Sequence, residues 1–328
     1  MSEELLVVRS TYAMDQFHNY FKGKKGDDIF AITHTDMDGI MSGSMVASHF
    51  ETTNVVMANY AKNNQLGFEV NESFTGKDII ITDYSFSVPK NIMDILAAKP
   101  KSVSIFDHHM NTLELVNSDE FDDVKNHASQ EGIELFYDID KERCGTKIIF
   151  DVLTANRKID DAEKKLAELV DTYDRWLFTE EDMDPVYLND FLYGSYQAYV
   201  MSPIVKEMVE NKSVRKLNSW IKIGKGFHDL KVEMNKLTAE NFAFVTEFKG
   251  YKVKAIEARG NSSLLGNAIN EYDFVMIFHL DSRKGSFVYS LFKNPNSEAD
   301  ILSIAKSYGG GGHECACGFT CDDRLVNW

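Results

Sequence analysis

The 328-residue chain reads as an α/β protein. A parallel-sheet domain is expected over 1–185, a helical connector over 186–240 and a smaller α/β domain over 241–328. Three observations carry this reading. In the first part, short apolar runs rich in β-branched residues alternate with helical segments, the βαβ pattern of a parallel sheet. After about residue 186 the pattern turns mostly helical, with Met208, Leu217, Trp220, Ile221 and Ile223 as apolar anchors. Beyond Asn241, three more strand-like runs appear.

In chain order, Ile29-Phe30-Ala31-Ile32 predicts a strand, and a helix follows Gly39. Ile79-Ile80-Ile81 predicts the next strand, with a helix over 90–98 after it, and Val103-Ser104-Ile105-Phe106 predicts a third. Another helix is expected over 161–170, and Gly224 and Gly226 are expected to interrupt the connector, because glycine is a poor helix former. The last part offers Tyr251-Lys252-Val253-Lys254-Ala255-Ile256, Phe274-Val275-Met276-Ile277-Phe278 and Ser286-Phe287-Val288-Tyr289-Ser290-Leu291 as strands. A helix over 264–270 separates the first two, and a final helix over 300–308 runs into Gly309-Gly310-Gly311-Gly312-His313.

Composition narrows the class. With 44% apolar and 26% charged residues, the chain resembles ordinary soluble proteins. No apolar run approaches the roughly 20 residues needed to span a bilayer. Met1-Ser2-Glu3-Glu4 lacks the basic start of a secretory signal. Cys144, Cys315, Cys317 and Cys321 are too few for a disulfide scaffold at this length. A cytoplasmic setting and no membrane partner are therefore expected. Thirty-five basic against 51 acidic residues give a formal charge of −16. That balance disfavours long duplex nucleic acid, which calls for a basic track; a short phosphate-bearing substrate stays open if metals do the neutralising. A homodimer is left open.

Each of the first three strands stops at a cluster of acids or histidines. The first leads into His34-Thr35-Asp36-Met37-Asp38-Gly39, the second into Asp83 and the third into Asp107-His108-His109. Open α/β sheets bind ligands beyond the carboxyl ends of their strands. Neighbouring ends would gather carboxylates that repel one another unless cations sit between them, which points to a metal centre of two ions. The competing readings are local: Asp36 or Asp38 could cap the helix after Gly39, and Asp83 could be a cap before Ser85 and Pro89. The adjacent His108 and His109 cannot point the same way on an extended backbone. One is expected to bind metal while the other faces the substrate or a supporting carboxylate.

These clusters, in this order, resemble the motifs of the DHH phosphoesterase superfamily. Gly309 to His313, followed by Ala316 and Gly318-Phe319, resembles the GGGH motif of its DHHA1 subfamily. Within the superfamily the chain looks most like the nanoRNA-degrading oligoribonucleases. The resemblance implies a DHH catalytic domain, a DHHA1 substrate-binding domain and an active-site cleft between them. It also implies two Mn2+ ions bridged by Asp83. One site would be completed by His34 and Asp36, the other by Asp38, His108 and a fourth-motif aspartate. Asp171 and Asp174 both fit that last position, and Asp174 is favoured by Trp176 and Phe178 after it. Asp107 would orient a histidine, and His109 would face the scissile phosphate. Mixed carboxylate and imidazole ligands suit Mn2+ on chemical grounds as well.

Four consecutive glycines can leave backbone amides open to a phosphate or ribose. Gly309, Gly310, Gly311 and Gly312, with His313, are thus expected to hold substrate. Arg259 and Ser262 could open the 264–270 helix as another anion-binding corner. Where relatives often carry an arginine, this chain has Phe292 and Lys293, so Phe292 either stacks on a base or belongs to the core. A zinc site from His313, Cys315, Cys317 and Cys321 lacks paired CxxC spacing. Small buried residues are the better account of these cysteines. The leading function is a two-metal phosphodiesterase cutting short single-stranded oligonucleotides, with His109 and His313 stabilising charge in the transition state. A cyclic-dinucleotide phosphodiesterase, a nucleoside-bisphosphate phosphatase and a non-enzymatic nucleotide-binding protein are the alternatives.

Overall fold

The computed structural model describes residues 7–9, 14–61, 65–210, 213–259, 272–282 and 284–326. The chain divides into two compact units, Met1–Lys225 and Gly226–Trp328. In the first, six strands form one sheet: β1 (Val7–Arg9), β2 (Ile29–Thr33), β3 (Val55–Met57), β4 (Asp78–Thr82), β5 (Ser102–Asp107) and β6 (Glu134–Asp140). Their order is β1-β6-β5-β4-β2-β3. The short β1 runs antiparallel to β6, and the other pairs are parallel. The predicted strands are thus β2, β4 and β5, and they lie side by side. Thr33 pairs with Thr82, and Thr82 with Phe106, so the three strands end level. The chain goes from β2 outward to β3, then returns to β4 on the other side of β2. That reversal is where open sheets form their ligand crevice.

Helices cover both faces. α3 (Pro89–Ala97), α4 (Met110–Val116) and α5 (Glu120–Glu131) supply Ile92, Ile95, Leu113, Phe121 and Val124 to a cluster with Ile79, Ile81, Val103 and Ile105. Ile80 points to the opposite face and is equally buried. A run buried on both sides reads as continuous apolar sequence, and each such isoleucine contributes roughly 1.5–3 kcal/mol of burial. α2 (Met37–Phe50) packs on α6 (Gly145–Thr154), which packs on α7 (Asp161–Asp174). α1 (Met14–Phe21) places Phe17 edge-on against Phe106 and Phe136.

α8 (Asp184–Gly194) packs on α7 and α9 (Pro203–Glu210) on α2, inside the first unit. α10 (Val214–Phe242) starts in the first unit and ends in the second. It runs 29 residues straight through Gly224 and Gly226, contrary to the expected interruption. A Cβ at Gly224 would lie 1.8 Å from the carbonyl oxygen of Tyr187. The glycine lets α10 approach α8, and that packing offsets a propensity penalty of about 1 kcal/mol.

The second unit holds β7 (Ala243–Phe248), β8 (Tyr251–Glu257), β9 (Phe274–Asp281), β10 (Ser286–Lys293), β11 (Gly311–Gly312) and β12 (Ala316–Cys321). The sheet order is β11-β12-β10-β9-β8-β7, with only β8 and β9 parallel. The three predicted strands are β8, β9 and β10. β7, β11 and β12 went unread, being either half-exposed or dominated by glycine and cysteine. The expected 264–270 helix lies outside the described residues. α11 (Ile301–Ser307) starts where predicted, with Asp300 accepting from the Ser303 amide. It packs Ile301 and Ala305 beside Tyr289, Leu291 and Phe319.

Candidate metal centre

The loop after β2 bends sharply because Gly39 has no side chain. A Cβ there would sit 2.4 Å from the His34 carbonyl oxygen. Asp36 is then the N-cap of α2, accepting from the Gly39 amide through Oδ1 at 2.9 Å. Its other oxygen meets His34 Nδ1 at 2.8 Å. The capping reading of Asp36 therefore holds, and its second oxygen is the one turned toward His34. Burial pushes the Asp36 carboxyl up, but the His34 contact and the Gly39 amide outweigh it and hold it to about 2.

Asp38 is buried and locked from across the chain. Its carboxylate accepts the Gly145 and Thr146 amides at 2.7 and 2.6 Å, the open N-terminus of α6. Gly145 makes that approach possible: a Cβ would fall 2.7 Å from Asp83 Cβ and 3.0 Å from Asp38 Oδ2. The sequence reading missed Gly145; its only local signal is a small residue opening a helix.

Asp83 follows β4 with φ of 51°, a left-handed backbone that few residues other than glycine adopt. It does not cap α3, whose N-cap is Val88. Its Oδ1 lies 3.3 Å from His108 Nε2, while its Oδ2 is buried with no hydrogen-bond partner among the described residues. Burial, then Asp38, Asp36, Asp107 and Asp174, push the Asp83 carboxyl well above the usual range. His108 Nε2 also faces Asp174 Oδ2 at 3.4 Å and Asp38 Oδ2 at 3.8 Å. The neighbouring His109 turns away and places Nδ1 2.7 Å from Asp107 Oδ1. That contact decides both groups against opposing burial: Asp107 is held to about 2 and His109 is pushed up to about 9.

The two fourth-motif aspartates have different partners. Asp174 is in the cluster, and burial with Asp38 and Asp36 nearby pushes its carboxyl up to about 8. Asp171, one turn earlier, accepts the Cys144 amide at 2.7 Å and Arg175 Nη1 at 3.4 Å. Three groups could each hold an ion: His34, Asp36 and Asp83; Asp38, His108 and Asp174; Asp83, Asp107, His108 and His109. The orphaned Asp83 Oδ2 is the test of fit. A buried carboxylate oxygen without a donor is costly, and a divalent cation among these oxygens and imidazoles removes both that cost and the mutual repulsion. Oxygen and imidazole donors without thiolate fit Mn2+ or Mg2+. Cys144 joins no such group, and burial, then Asp38 and Asp171, raise its thiol well above the ordinary value. Sequence reasoning also missed Tyr60, whose ring stacks on His34 at 4.8 Å and whose hydroxyl is 3.4 Å from His109 Nε2.

Residues 28–172 match the family model described as DHH family, N-terminal domain. Over these residues the chain carries a DHH N-terminal domain. No curated protein matches the chain. Among solved structures, the DHH domain of a member of a family of ribosomal proteins is similar at TM-score 0.60 and 13% identity. That match covers 91% of this chain and 83% of the other. RecJ from Thermus thermophilus, in complex with Mn2+, is similar at TM-score 0.50 and 11% identity, covering 94% of this chain and 51% of RecJ. At such identities the likeness concerns the fold. In this DHH domain the fold delivers His34, Asp36, Asp83, Asp107, His108 and His109 from three adjacent strand ends, and Asp38 and Asp174 from the start of α2 and the end of α7.

The glycine tail in the second unit differs from its expectation. The Gly309 and Gly310 amides are already donated to Lys306 and Ala305 carbonyls, closing the end of α11. A Cβ at Gly310 would lie 2.1 Å from the Gly318 carbonyl oxygen, and one at Gly312 2.6 Å from Cys317 Cα. Two of the four amides and two of the four missing side chains thus serve α11 and β12. A Cβ at Gly311 would meet nothing within 4 Å, although its backbone pairs with Gly318, and His313 is exposed. Arg259 donates to the Leu280 carbonyl, and Ser262 lies outside the described residues. Phe292 packs with Ile256, Val275 and Ile277. Cys317 is buried and Cys315 exposed, and among the described residues no cysteine joins a metal-holding group.

Proposed function

We propose that this DHH-domain chain is a metal-dependent phosphodiesterase that hydrolyses short oligonucleotides or small nucleotide diesters, with two Mn2+ ions as cofactor. Asp83 carries the reading. It stands at the meeting point of the ligand groups, buried, with one oxygen unpartnered, as a carboxylate shared between two cations would. His34 and Asp36 would complete one ion's set, and Asp38, His108 and Asp174 the other's. Bound there, divalent ions supply Lewis acidity toward a phosphoryl oxygen and a nucleophile at neutral pH.

The protein's own groups do the rest. The α6 amides fix Asp38, and Asp107 fixes the His109 ring, so neither has to reorganise when substrate arrives. His109, oriented by Asp107, offers its Nε2 side to a phosphate oxygen and offsets the negative charge that gathers there. In the second unit, the exposed His313 is the group available to a phosphate or ribose. The acidic balance of the chain supports a short substrate with few phosphate contacts.

The test is an activity screen with Mn2+ on di- to pentanucleotides, cyclic dinucleotides and adenosine bisphosphate. Nucleoside monophosphate release from the short linear substrates is expected, with weak dependence on salt. Preferential digestion of long single strands, with activity falling steeply as salt rises, would overturn the reading.

A further inference from the structure

α7 carries Asp174 into the cluster and ends there. In its closing turn the Trp176 amide donates to the Tyr173 carbonyl and the Leu177 amide to the Thr172 carbonyl. This pair of bonds is the Schellman ending, whose left-handed residue is most often glycine. Here that residue is Trp176, with φ of 57°. A bulky side chain suits such a backbone poorly, and burial does not account for it, because the indole is 62% exposed. Backbone strain that packing leaves unexplained is a pointer to function.

Other rings brace the indole. Phe178 stands 5.0 Å from it at 57° and Tyr173 6.2 Å from it at 48°, tilted contacts that hold the ring without lying flat on it. Tyr173 in turn stacks on Phe178 at 17°. Tyr193, 43% exposed, sets its hydroxyl 3.4 Å from the Thr35 carbonyl, on the loop that carries His34 and Asp36. Burial first, with the Asp36 carboxylate among the charges around them, raises both the Tyr173 and the Tyr193 phenols. The aromatic patch thus adjoins the ligand cluster within the first unit. An indole neutralises no charge and is no ligand for a hard cation. What it offers beside a phosphate-binding centre is a flat apolar face.

We infer that Trp176 is the platform on which a nucleobase adjoining the scissile phosphate stacks, with Phe178 and Tyr173 behind it. This assignment rests on the phosphodiesterase reading above and adds where the base of the substrate goes. Stacking tolerates any base, since each has a π-face, and follows stacking strength, so purines are favoured over pyrimidines. It also supplies affinity that a chain of net charge −16 does not draw from a basic track.

Kinetics of the full-length protein with Mn2+ test this on the dinucleotide ApA and its two singly abasic analogues. In the parent, removal of one of the two bases should raise KM at least about fivefold, the lower range of base–aromatic stacking. Trp176→Gly should raise KM for ApA by the same factor with kcat unchanged, and abolish the difference between ApA and that analogue. Trp176→Phe, which keeps a ring, should recover most of the affinity. The melting temperature of Trp176→Gly should equal or exceed the parent's, since glycine suits the left-handed turn. A lower one, with KM unchanged, would make the indole a packing element and overturn the platform. ApA should also quench indole fluorescence in the parent and not in Trp176→Phe, a readout that needs no turnover. A quench without hydrolysis of any diester would overturn the proposed reaction and keep the platform. Hydrolysis with equal KM for ApA and both analogues, and no quench, would do the reverse. Absence of both would overturn the two together.

Discussion

The candidate metal centre of the first unit and the glycine–histidine tail of the second were read from equally conspicuous motifs, yet they are built in opposite ways. In the first, the chemical groups are buried or half-buried and most are braced by partners, some of them distant in sequence. Asp38 is gripped by the Gly145 and Thr146 amides, His108 faces three aspartates, and His109 leans on Asp107. In the second, His313 and Gly311 stand exposed, while the neighbouring glycines are absorbed by α11 and β12. Low dielectric and fixed geometry make the first region costly to perturb. The second region gives up its local structure cheaply.

The sharpest test of that contrast is Asp83→Asn. Removing the shared charge should cost on the order of 10³-fold in Mn2+-dependent turnover, the scale of losing one essential transition-state contact, with the fold intact by circular dichroism. Activity within tenfold of the parent would remove Asp83 from the centre. Next is the pair on α7. Asp174→Asn should lose about 10²-fold in metal affinity, measured by elemental analysis after dialysis. Asp171→Asn should keep its metal and lose about 1 kcal/mol of stability with the Cys144 and Arg175 contacts. Reversed results would move the ligand one turn back.

Glycine substitutions compare the two regions directly. Gly145→Ala forces its new Cβ against Asp83 and should cost about 1–3 kcal/mol of stability, read by denaturant titration. Gly311→Ala should stay within about 0.5 kcal/mol, because nothing stands near. Metal binding should also release protons. Asp174 is pushed up to about 8 and Asp83 is raised well above the usual range. The metal-free cluster therefore holds protons below about pH 8 that a cation must displace. Affinity should rise about tenfold per pH unit for each proton released between pH 6 and 8, then level off. Calorimetry in buffers of different ionisation heat counts those protons, and a pH-independent affinity would contradict the crowding. The smallest effect belongs to His313→Ala: unchanged metal content and a several-fold rise in KM, fall in kcat, or both. Parental kinetics would leave the tail a structural element alone.

What could be read without a structure followed from local physics. Ile79-Ile80-Ile81 and Val103-Ser104-Ile105-Phe106 are apolar on both faces, so they had to be inner strands of a covered parallel sheet. Strand ends in such a sheet share one edge, and the acids and histidines after them had to meet. The Asp36 cap and the start of the helix near residue 300 depend on neighbours within five residues, and both were legible. The helix through Gly224 was not, because its reason is Tyr187, brought beside it only by folding.

The sequence by itself determined the α/β class, the alternation of elements and the kind of chemistry gathered at the strand ends, since each is set by residue periodicity and side-chain type. Only the tertiary structure decided which groups stand together. Asp38 is steadied by amides more than 100 residues away, and Asp174 enters the cluster while Asp171, one turn earlier on the same helix, binds elsewhere. Two of the four tail glycines likewise serve packing through contacts with β12. Spacing along the chain fixes the face of a helix or strand that a residue occupies. What stands opposite that face depends on contacts between distant segments, and those exist only once the chain has folded.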